Sequence, residues 1–233
     1  RAGRWNLSLQ VEEELAERQA TGEPIGVDLG LQALAVCSDG QRYANPRALN
    51  QASRRLARCQ RELSRRQPGS RNRTRTKAKL ARLHQRIAHL RQNAIHQATA
   101  RIVAKTKPDA ERPSVVVLED LNVVGMMQNH KLARAIGDAG LGEFSRQMGY
   151  KCAWYGITVQ RADRWYPSSK RCSSCGQVKA GLVLSERVYH CETCGLEIDR
   201  DLNAARNLVQ LSEKTTASSA GSEACGEAAL AAQ

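Results

Sequence analysis

Two Cys-x-x-Cys pairs that lie close together in the chain are the feature that most constrains its fold. Cys172 and Cys175 form the first pair, Cys191 and Cys194 form the second, and fifteen residues (176–190) separate them. This spacing is typical of four thiolates that bind one zinc ion. Because four thiolates complete the tetrahedral shell of zinc, the spacing predicts a structural ion with no open position for catalysis.

Two disulfides are the alternative interpretation of these cysteines. The other four cysteines are scattered along the chain, and the N-terminal segment lacks the apolar core of a signal peptide. Reduced thiols are therefore favoured, and we expect a cytoplasmic protein.

The balance of charges indicates the class of partner. The 233 residues include 36 Lys and Arg against 23 Asp and Glu, which gives a formal net charge of +13. Such an excess favours a polyanionic partner, either a nucleic acid or an anionic membrane surface. Since no run of about 18 apolar residues is present to span a bilayer, we expect nucleic acid and no membrane.

Hydrophobic patterning predicts an α/β chain. Apolar segments bounded by turn residues predict strands at 25–30, 34–38, 41–44, 115–119 and 157–160. Apolar residues at helical spacing predict a helical hairpin over 46–107 with a break at 68–70, one or two helices over 131–155 with an interruption near Gly140 and Gly142, and a short helix over 203–211 whose candidate N-cap is Asp201.

Three acids lie where such a sheet collects functional groups. Asp28 and Glu119 each end an apolar strand, and Asp201 opens the last predicted helix. Hydrolysis of phosphodiesters uses carboxylates that hold two Mg²⁺ ions about 4 Å apart, one to activate water and one to stabilise the leaving oxygen. Spacing alone supports this metal site and the alternative, two strand-end residues and an N-cap, equally well.

The helical hairpin is strongly basic. Residues Arg47–Lys107 contain eighteen Lys and Arg but one acid, Glu62. A solvated helix face is the usual meaning of a charge run, but such a face normally intersperses Glu to offset repulsion. The near absence of acids favours contacts with phosphates. The strongest candidates surround the hairpin break: Arg71, Arg73, Arg75, Lys77 and Lys79.

Four segments carry a family resemblance. Their sequences are GVDLG at 26–30, LEDLNV at 118–123, DRWYPSSK at 163–170 and DRDLNAARN at 199–207. In that order they resemble the first RuvC motif, the second RuvC motif, the lead into the zinc finger and the third RuvC motif of the TnpB family. That family consists of transposon-encoded RNA-guided endonucleases of bacteria and archaea, related to the compact type V CRISPR nucleases.

The resemblance covers about residues 23 to 211 and implies a fold, a site and partners. The implied fold is an RNase H-like (RuvC) α/β domain with a basic helical hairpin and an inserted four-cysteine zinc finger. Asp28, Glu119 and Asp201 would be catalytic and bind two Mg²⁺ ions. Asp201 is preferred over Asp199 because the family acid lies two residues before the Asn of its motif. The implied partners are a guide RNA and the target DNA that it selects by base pairing, with the hairpin against their heteroduplex.

The resemblance also suggests domain boundaries. Residues 1–22 are expected to be the end of a truncated N-terminal wedge-like domain, because residues 5–11 alternate like a strand with no visible beginning. Two parts of the nuclease domain, 23–170 and 196–211, are expected to flank a zinc finger at 171–195. Residues 212–233 are expected to be a disordered tail, since small and polar residues offer little to pack.

Three alternatives stay open from the sequence: a nuclease-inactive RNA-guided DNA-binding protein, an unguided structure-specific RuvC-like nuclease, and a decayed remnant without activity. The three intact acids argue against the first, and the zinc finger together with the third motif argues against the second.

Overall fold

The computed structural model describes residues 7–12, 18–104, 107–183 and 185–220. Its central strands are β1 (Ile25–Leu29), β2 (Ala33–Cys37), β3 (Arg42–Ala44), β4 (Val115–Glu119) and β5 (Thr158–Ala162). They form one sheet in the order β3-β2-β1-β4-β5. The pairs β1–β2 and β2–β3 are antiparallel, whereas β1, β4 and β5 are parallel. The carboxyl ends of the three parallel strands therefore lie at one edge of the sheet.

Helices cover this sheet on both faces. Those in the described residues are α1 (Ala48–Arg65), α2 (Arg71–Ile102), α3 (Val123–Met127), α4 (Ala133–Ala139), α5 (Leu141–Trp154) and α6 (Arg200–Ala220). Two further strands, β6 (Val188–His190) and β7 (Glu197–Asp199), form a small antiparallel sheet of their own. Within the part of the chain that the structure describes, no helix is long and apolar enough to cross a bilayer.

Alternation of side chains along β4 divides the packing between the two faces of the sheet. On one face, Val116 belongs to the main core, together with Ile95 of α2 and Phe144 of α5. On the other face, Val117 packs with Leu208 of α6 in a smaller core. The sheet is thus sandwiched between α2 with α5 on one side and α6 on the other, as an α/β pattern predicts.

The predicted helical hairpin is confirmed. The seam between α1 and α2 consists of Leu56, Cys59, Leu83 and Ile87. The break at 68–70 ends at Ser70, whose hydroxyl accepts a hydrogen bond from the backbone N–H of Arg73 (3.2 Å) and so caps α2. The predicted interruption later in the chain is also present, since α4 and α5 are separated at Gly140, which has a left-handed φ of 71°.

Two predictions at the ends of the chain are wrong where the structure describes them. α6 continues to Ala220, so residues 212–220 are helical and not a disordered tail, because extending a helix costs far less than starting one. Residues 221–233 lie outside the described residues. The expected strand over 5–11 is absent from residues 7–11, since Leu7 and Leu9 are 85% and 77% exposed with no described sheet to pack on.

Candidate metal centres

Asp28 and Glu119 lie side by side at the carboxyl edge of the sheet. Val27 of β1 pairs with Leu118 of β4, and these strands are parallel. The next residues along the two strands, Asp28 and Glu119, are therefore neighbours on adjacent strands. The two acids are far apart in the sequence, and the pairing of β1 with β4 brings them together.

The third acid reaches the same edge because α6 packs against β1. A Cβ atom at Gly26 would lie 2.1 Å from the backbone oxygen of Ala205 and 2.7 Å from the backbone nitrogen of Val209, so only glycine permits this approach. Ala205 is about one helical turn beyond Asp201. The first turn of α6 consequently lies near the end of β1, and the charge of Asp201 acts on Asp28.

This setting disfavours the negative charge of Asp28 and of Glu119. Burial raises the pKa of Asp28 well above its ordinary value, and the charges of Glu119 and Asp201 raise it further. Burial also raises the pKa of Glu119, while a hydrogen bond from the hydroxyl of Ser168 (2.5 Å) opposes that shift. Like charges in one buried place disfavour each other, and a divalent cation is the group that would neutralise them.

Asp199 and Asp201 have different surroundings. Oδ1 of Asp199 accepts hydrogen bonds from the backbone N–H groups of Asp201 and Leu202, at 3.1 Å each, so Asp199 is the N-cap of α6. Arg42 of β3 donates to both carboxylate oxygens of Asp199, at 2.9 and 3.2 Å. The prediction that Asp201 caps the helix is therefore wrong, because the helix begins before it. Its carboxylate makes longer ion pairs, 3.6 Å to Arg200 and 3.8 Å to Arg42.

The four cysteines form a second centre. The Sγ atoms of Cys172, Cys175, Cys191 and Cys194 all lie within 4.8 Å of one another. Cys172 is 3.6 Å from Cys194, and Cys175 is 3.6 Å from Cys191, measured between sulfurs. A disulfide requires about 2.05 Å, so the disulfide alternative does not fit. Four sulfurs at 2.3 Å from one zinc ion form a tetrahedron with edges of about 3.8 Å, so these residues fit zinc.

Each cysteine pair makes its own turn. The backbone N–H of Gly176 donates to the carbonyl of Cys172 (3.0 Å), and Gly176 has a left-handed φ of 78° that suits glycine. The second pair repeats this turn, with Gly195 at a φ of 73°. The backbone N–H of Cys194 donates to the sulfur of Cys191 and lowers the pKa of that thiol, which favours the thiolate that a metal ion binds.

Two asparagines of α6 hold the loop that leads into the cysteine cluster. The amide nitrogen of Asn203 donates to the carbonyl of Arg171 (2.7 Å), and its amide oxygen accepts from the N–H of Ser173 (2.9 Å). The amide nitrogen of Asn207 donates to the carbonyls of Ser168 (2.7 Å) and Arg171 (2.6 Å). Both asparagines are fully buried, so the loop is fixed to the helix that also carries Asp201.

Four residues at these centres are absent from the sequence predictions: Arg42, Ser168, Asn203 and Asn207. The last three lie within the segments 163–170 and 199–207, so the family resemblance marks their positions without giving them a role. Arg42 lies in a short strand far from any motif, and its pairing with Asp199 has no sequence signal.

The basic residues at the hairpin break divide into two groups. Arg71, Arg75, Lys77 and Lys79 are exposed. Arg73 is partly buried, and its guanidinium donates to the carbonyls of Leu63 (2.8 Å) and Arg66 (3.0 Å) at the C-terminal end of α1. The last carbonyls of a helix lack partners within it, so Arg73 closes α1. This contact argues against Arg73 as a residue that is free to bind phosphate.

These features define a class of α/β protein that has partly buried acids at one edge of its sheet and a four-cysteine cluster ahead of its last described helix. Comparison with known proteins gives the family. Residues 7–130 match the family OrfB_IS605, described as "Probable transposase", and residues 142–208 match the Cas12f1-like TNB domain. The chain belongs to the TnpB family, as its four motifs predicted.

Curated relatives agree with this assignment. A protein of Streptomyces pristinaespiralis is 40% identical over 227 residues, which cover 97% of this chain and 53% of the relative. A protein of Mycobacterium tuberculosis is 36% identical over 81% of this chain and 42% of its own length, and InsQ of Escherichia coli is 31% identical over 89% and 54%. All three carry the name "Putative RNA-guided DNA endonuclease". The chain spans about half the length of these relatives.

Two solved structures share the fold at lower identity. The cryo-EM structure of the Cas12f1–sgRNA–target DNA complex matches with a TM-score of 0.55 and 19% identity, over 79% of this chain and 49% of that one. The CRISPR-Cas12f ternary complex matches with a TM-score of 0.59 and 20% identity, over 84% and 40%.

Proposed function

We propose that this chain is the RuvC-like nuclease part of a transposon-associated, RNA-guided DNA endonuclease of the bacterial cytoplasm. The observation that carries the proposal is the position of Asp28 and Glu119 side by side where parallel β1 and β4 pair, with burial and the charges of Glu119 and Asp201 raising the pKa of Asp28. A strongly shifted acid beside other carboxylates is typical of a functional site. The strand order and the position of α6 on β1 support an RNase H-like layout for the domain.

The three carboxylates suit Mg²⁺, which prefers hard oxygen ligands. In this proposal Asp28, Glu119 and Asp201 would together hold the ions. Bound Mg²⁺ would activate the attacking water and stabilise the leaving oxygen of a DNA phosphodiester. The protein itself holds the acids at one edge of the sheet, partly out of water, where charges interact strongly.

The four cysteines are assigned to a structural zinc ion. Their sulfurs lie at tetrahedral spacing, and four thiolates leave no position for a substrate. Residues 171–195 would then be a zinc finger inserted between two parts of the nuclease domain, 23–170 and 196–211. Residues 1–22 would belong to a wedge-like domain.

A guide RNA and its target DNA are the proposed partners. The net charge of +13 favours a polyanion. Relatives of this chain are named for RNA guidance, and one structural neighbour was solved with sgRNA and target DNA. The exposed residues of the hairpin break are the proposed contacts with the phosphates of the guide–target heteroduplex: Arg71, Arg75, Lys77 and Lys79.

Cleavage of DNA in the presence of Mg²⁺ tests the nuclease assignment. Asp28→Ala is expected to reduce the rate by about 10³-fold or more, equivalent to about 4 kcal/mol, because one of the three acids that would hold the metal ions is lost. The rate is measured with purified protein, with the RNA that co-purifies with it, and on DNA that contains the sequence this RNA pairs with. Asp39→Ala, which removes an exposed acid in the β2–β3 turn, is the matched control and should keep its rate.

Each alternative has its own outcome in this experiment. Equal products from wild type and Asp28→Ala contradict the nuclease assignment. Guided binding without cleavage by the wild type favours a nuclease-inactive DNA-binding protein. Cleavage without any co-purified RNA of defined sequence favours an unguided structure-specific nuclease.

The difference between the exposed basic residues of the hairpin break and the partly buried Arg73 gives a second test. Changing Arg71, Arg75, Lys77 and Lys79 to Gln should flatten the plot of log affinity against log salt by about 0.7–0.9 for each phosphate that the variant no longer neutralises. Arg73→Gln alone should leave this slope unchanged and instead destabilise the protein by about 1–2 kcal/mol, because helix carbonyls lose their donor. An unchanged slope in the fourfold variant would return the segment to the solvated-face interpretation.

A further inference from the structure

Ser168 lies in the loop between β5 and the cysteine cluster, and it touches the carboxylate site. Its side chain is buried, with 5% of the residue exposed. Its hydroxyl donates a hydrogen bond of 2.5 Å to Oε1 of Glu119. The sequence alone gives Ser168 no role at the carboxylate site. Serine is common in turns, and the sequence does not distinguish Ser168 from its neighbour Ser169.

The backbone of Ser168 is held from two sides. Its N–H donates to the carbonyl of Tyr166 (2.8 Å), and its own carbonyl accepts from the amide of Asn207 (2.7 Å). The ring hydroxyl of Tyr166 in turn donates to the carbonyl of Asn207 (3.1 Å). A side chain on a backbone that is fixed in this way can impose its position on a flexible partner.

We propose that Ser168 is a positioning residue that fixes the carboxylate of Glu119 in the orientation that binds a divalent cation. The inference rests on the proposed function. It assigns Ser168 to the support of the site and not to contact with the substrate or with the reacting atoms.

The chemistry of a carboxylate explains why such a support is needed. A glutamate side chain has several rotatable bonds, and ordering it costs up to about 2 kcal/mol of conformational entropy. The hydrogen bond engages Oε1 of Glu119, and among the described residues no hydrogen bond engages the other oxygen, which can accept a cation. Partners of this kind, which orient a metal ligand without touching the metal, commonly change metal affinity by about 10–100-fold when removed.

The same loop joins the two centres of the molecule. Asn207, which holds Ser168, lies on α6 two turns beyond Asp201, and Cys172 follows Ser168 by four residues. Glu119 is thereby oriented from the helix that carries the third acid. The position of the Glu119 carboxylate therefore depends on the position of the helix that carries Asp201.

The test measures Mn²⁺ binding, which reports on the site without requiring catalysis. We expect Ser168→Ala to raise the dissociation constant of Mn²⁺, measured by electron paramagnetic resonance, by about 10-fold or more. The Mg²⁺ concentration that gives half-maximal cleavage should rise by a similar factor. Ser169→Ala is the matched control and should stay within about two-fold of the wild type, as neutral substitutions do. Equal Mn²⁺ affinity of Ser168→Ala and Ser169→Ala would overturn the proposal.

A double-mutant cycle separates positioning from general structural support. In a Glu119→Gln background, adding Ser168→Ala should cause no further loss of Mn²⁺ affinity, because the carboxylate that it orients is already gone. The same fold loss in both backgrounds would overturn the proposal. Zinc content and the circular dichroism spectrum are measured for every variant. If Ser168→Ala does not fold, Ser168→Thr carries the test: this variant keeps the hydroxyl, and loss of Mn²⁺ affinity in its folded form would also overturn the proposal.

Failure of the proposed function has a different signature. The nuclease assignment itself is refuted if the wild-type protein binds no Mn²⁺, or if it binds Mn²⁺ with an affinity that Asp28→Ala leaves unchanged. A wild-type protein whose Mn²⁺ binding depends on Asp28 but not on Ser168 refutes only the positioning role.

Discussion

The cysteine cluster and the carboxylate site are both suited to metal ions, but they are built in different ways. The cysteines come from one short segment, 172–194, and each pair makes its own hydrogen-bonded turn. The acids come from β1, β4 and α6, which are distant in sequence and meet only when the sheet has paired. One centre is therefore a local structure, whereas the other is a product of the whole domain.

The two centres also differ in electrostatic cost. In the cysteine cluster the shifts are opposed: a backbone hydrogen bond from Cys194 lowers the pKa of the Cys191 thiol, whereas, against a backbone hydrogen bond from Gln177, burial and the neighbouring cysteines raise the pKa of Cys175 to about 12. At the carboxylate site, burial and neighbouring acids act against the charge of Asp28. We infer that a metal ion would relieve the uneven charging of the cysteine cluster, while Asp28 is retained for function at the expense of stability.

Among the changes that distinguish the two centres, loss of one zinc ligand should have the largest effect on folding. Cys191→Ser is expected to abolish stoichiometric zinc binding, because binding to a four-thiolate site contributes about 10–16 kcal/mol to folding in small zinc domains. Zinc content by mass spectrometry and loss of structure around β6 and β7 by hydrogen exchange would measure the result.

The matched control for this change is Cys152→Ser, which alters a buried cysteine of the main core outside the cluster. That variant should lose stability and keep its zinc. A wild-type protein with less than about half an equivalent of zinc would contradict the assignment of the cluster, as would a Cys191→Ser variant with a full equivalent.

The difference between the centres also explains what the sequence could predict. Cys-x-x-Cys spacing is a local pattern, so the cysteine cluster was predicted from residue positions alone. The pairing of β1 with β4, which makes Asp28 and Glu119 neighbours, is not encoded by any short segment. Spacing therefore left the acids undecided, and the family resemblance was needed to group them.

Local hydrogen bonds were the part of the structure that composition could not reveal. Arg73 appeared in the sequence as one more cation in a basic run, yet it closes the end of α1. Asp201 appeared as a helix cap, yet Asp199 performs that role. In both cases the role of the side chain is set by the backbone groups at a helix end that lack a partner. Which groups these are depends on where the helix begins or ends, to within a residue or two.

Neutralising the partly buried Asp28 should have a smaller effect on stability, of opposite sign to the loss of a zinc ligand. The pKa of Asp28 is raised in the folded protein, so the stability that its protonated form contributes is full below its ordinary pKa and is lost as pH rises through the folded value. Asp28→Asn should therefore raise the melting temperature of the metal-free protein near neutral pH, and the gain should shrink in acid. For a domain of this size a rise of about 3 °C corresponds to about 1 kcal/mol.

Asp39→Asn, in the exposed β2–β3 turn, is the control for this measurement and should leave the melting temperature unchanged. Mg²⁺ sharpens the contrast, because an ion that binds the native acids raises the melting temperature of the wild type through mass action. Mg²⁺ should fail to raise the melting temperature of Asp28→Asn, which keeps the fold but lacks one of the acids that would hold the ion. An Asp28→Asn variant that melts below the wild type without metal would mean that the charge of Asp28 stabilises the sheet edge. The carboxylates would then resemble the cysteine cluster in being structural, and the contrast between the two centres would disappear.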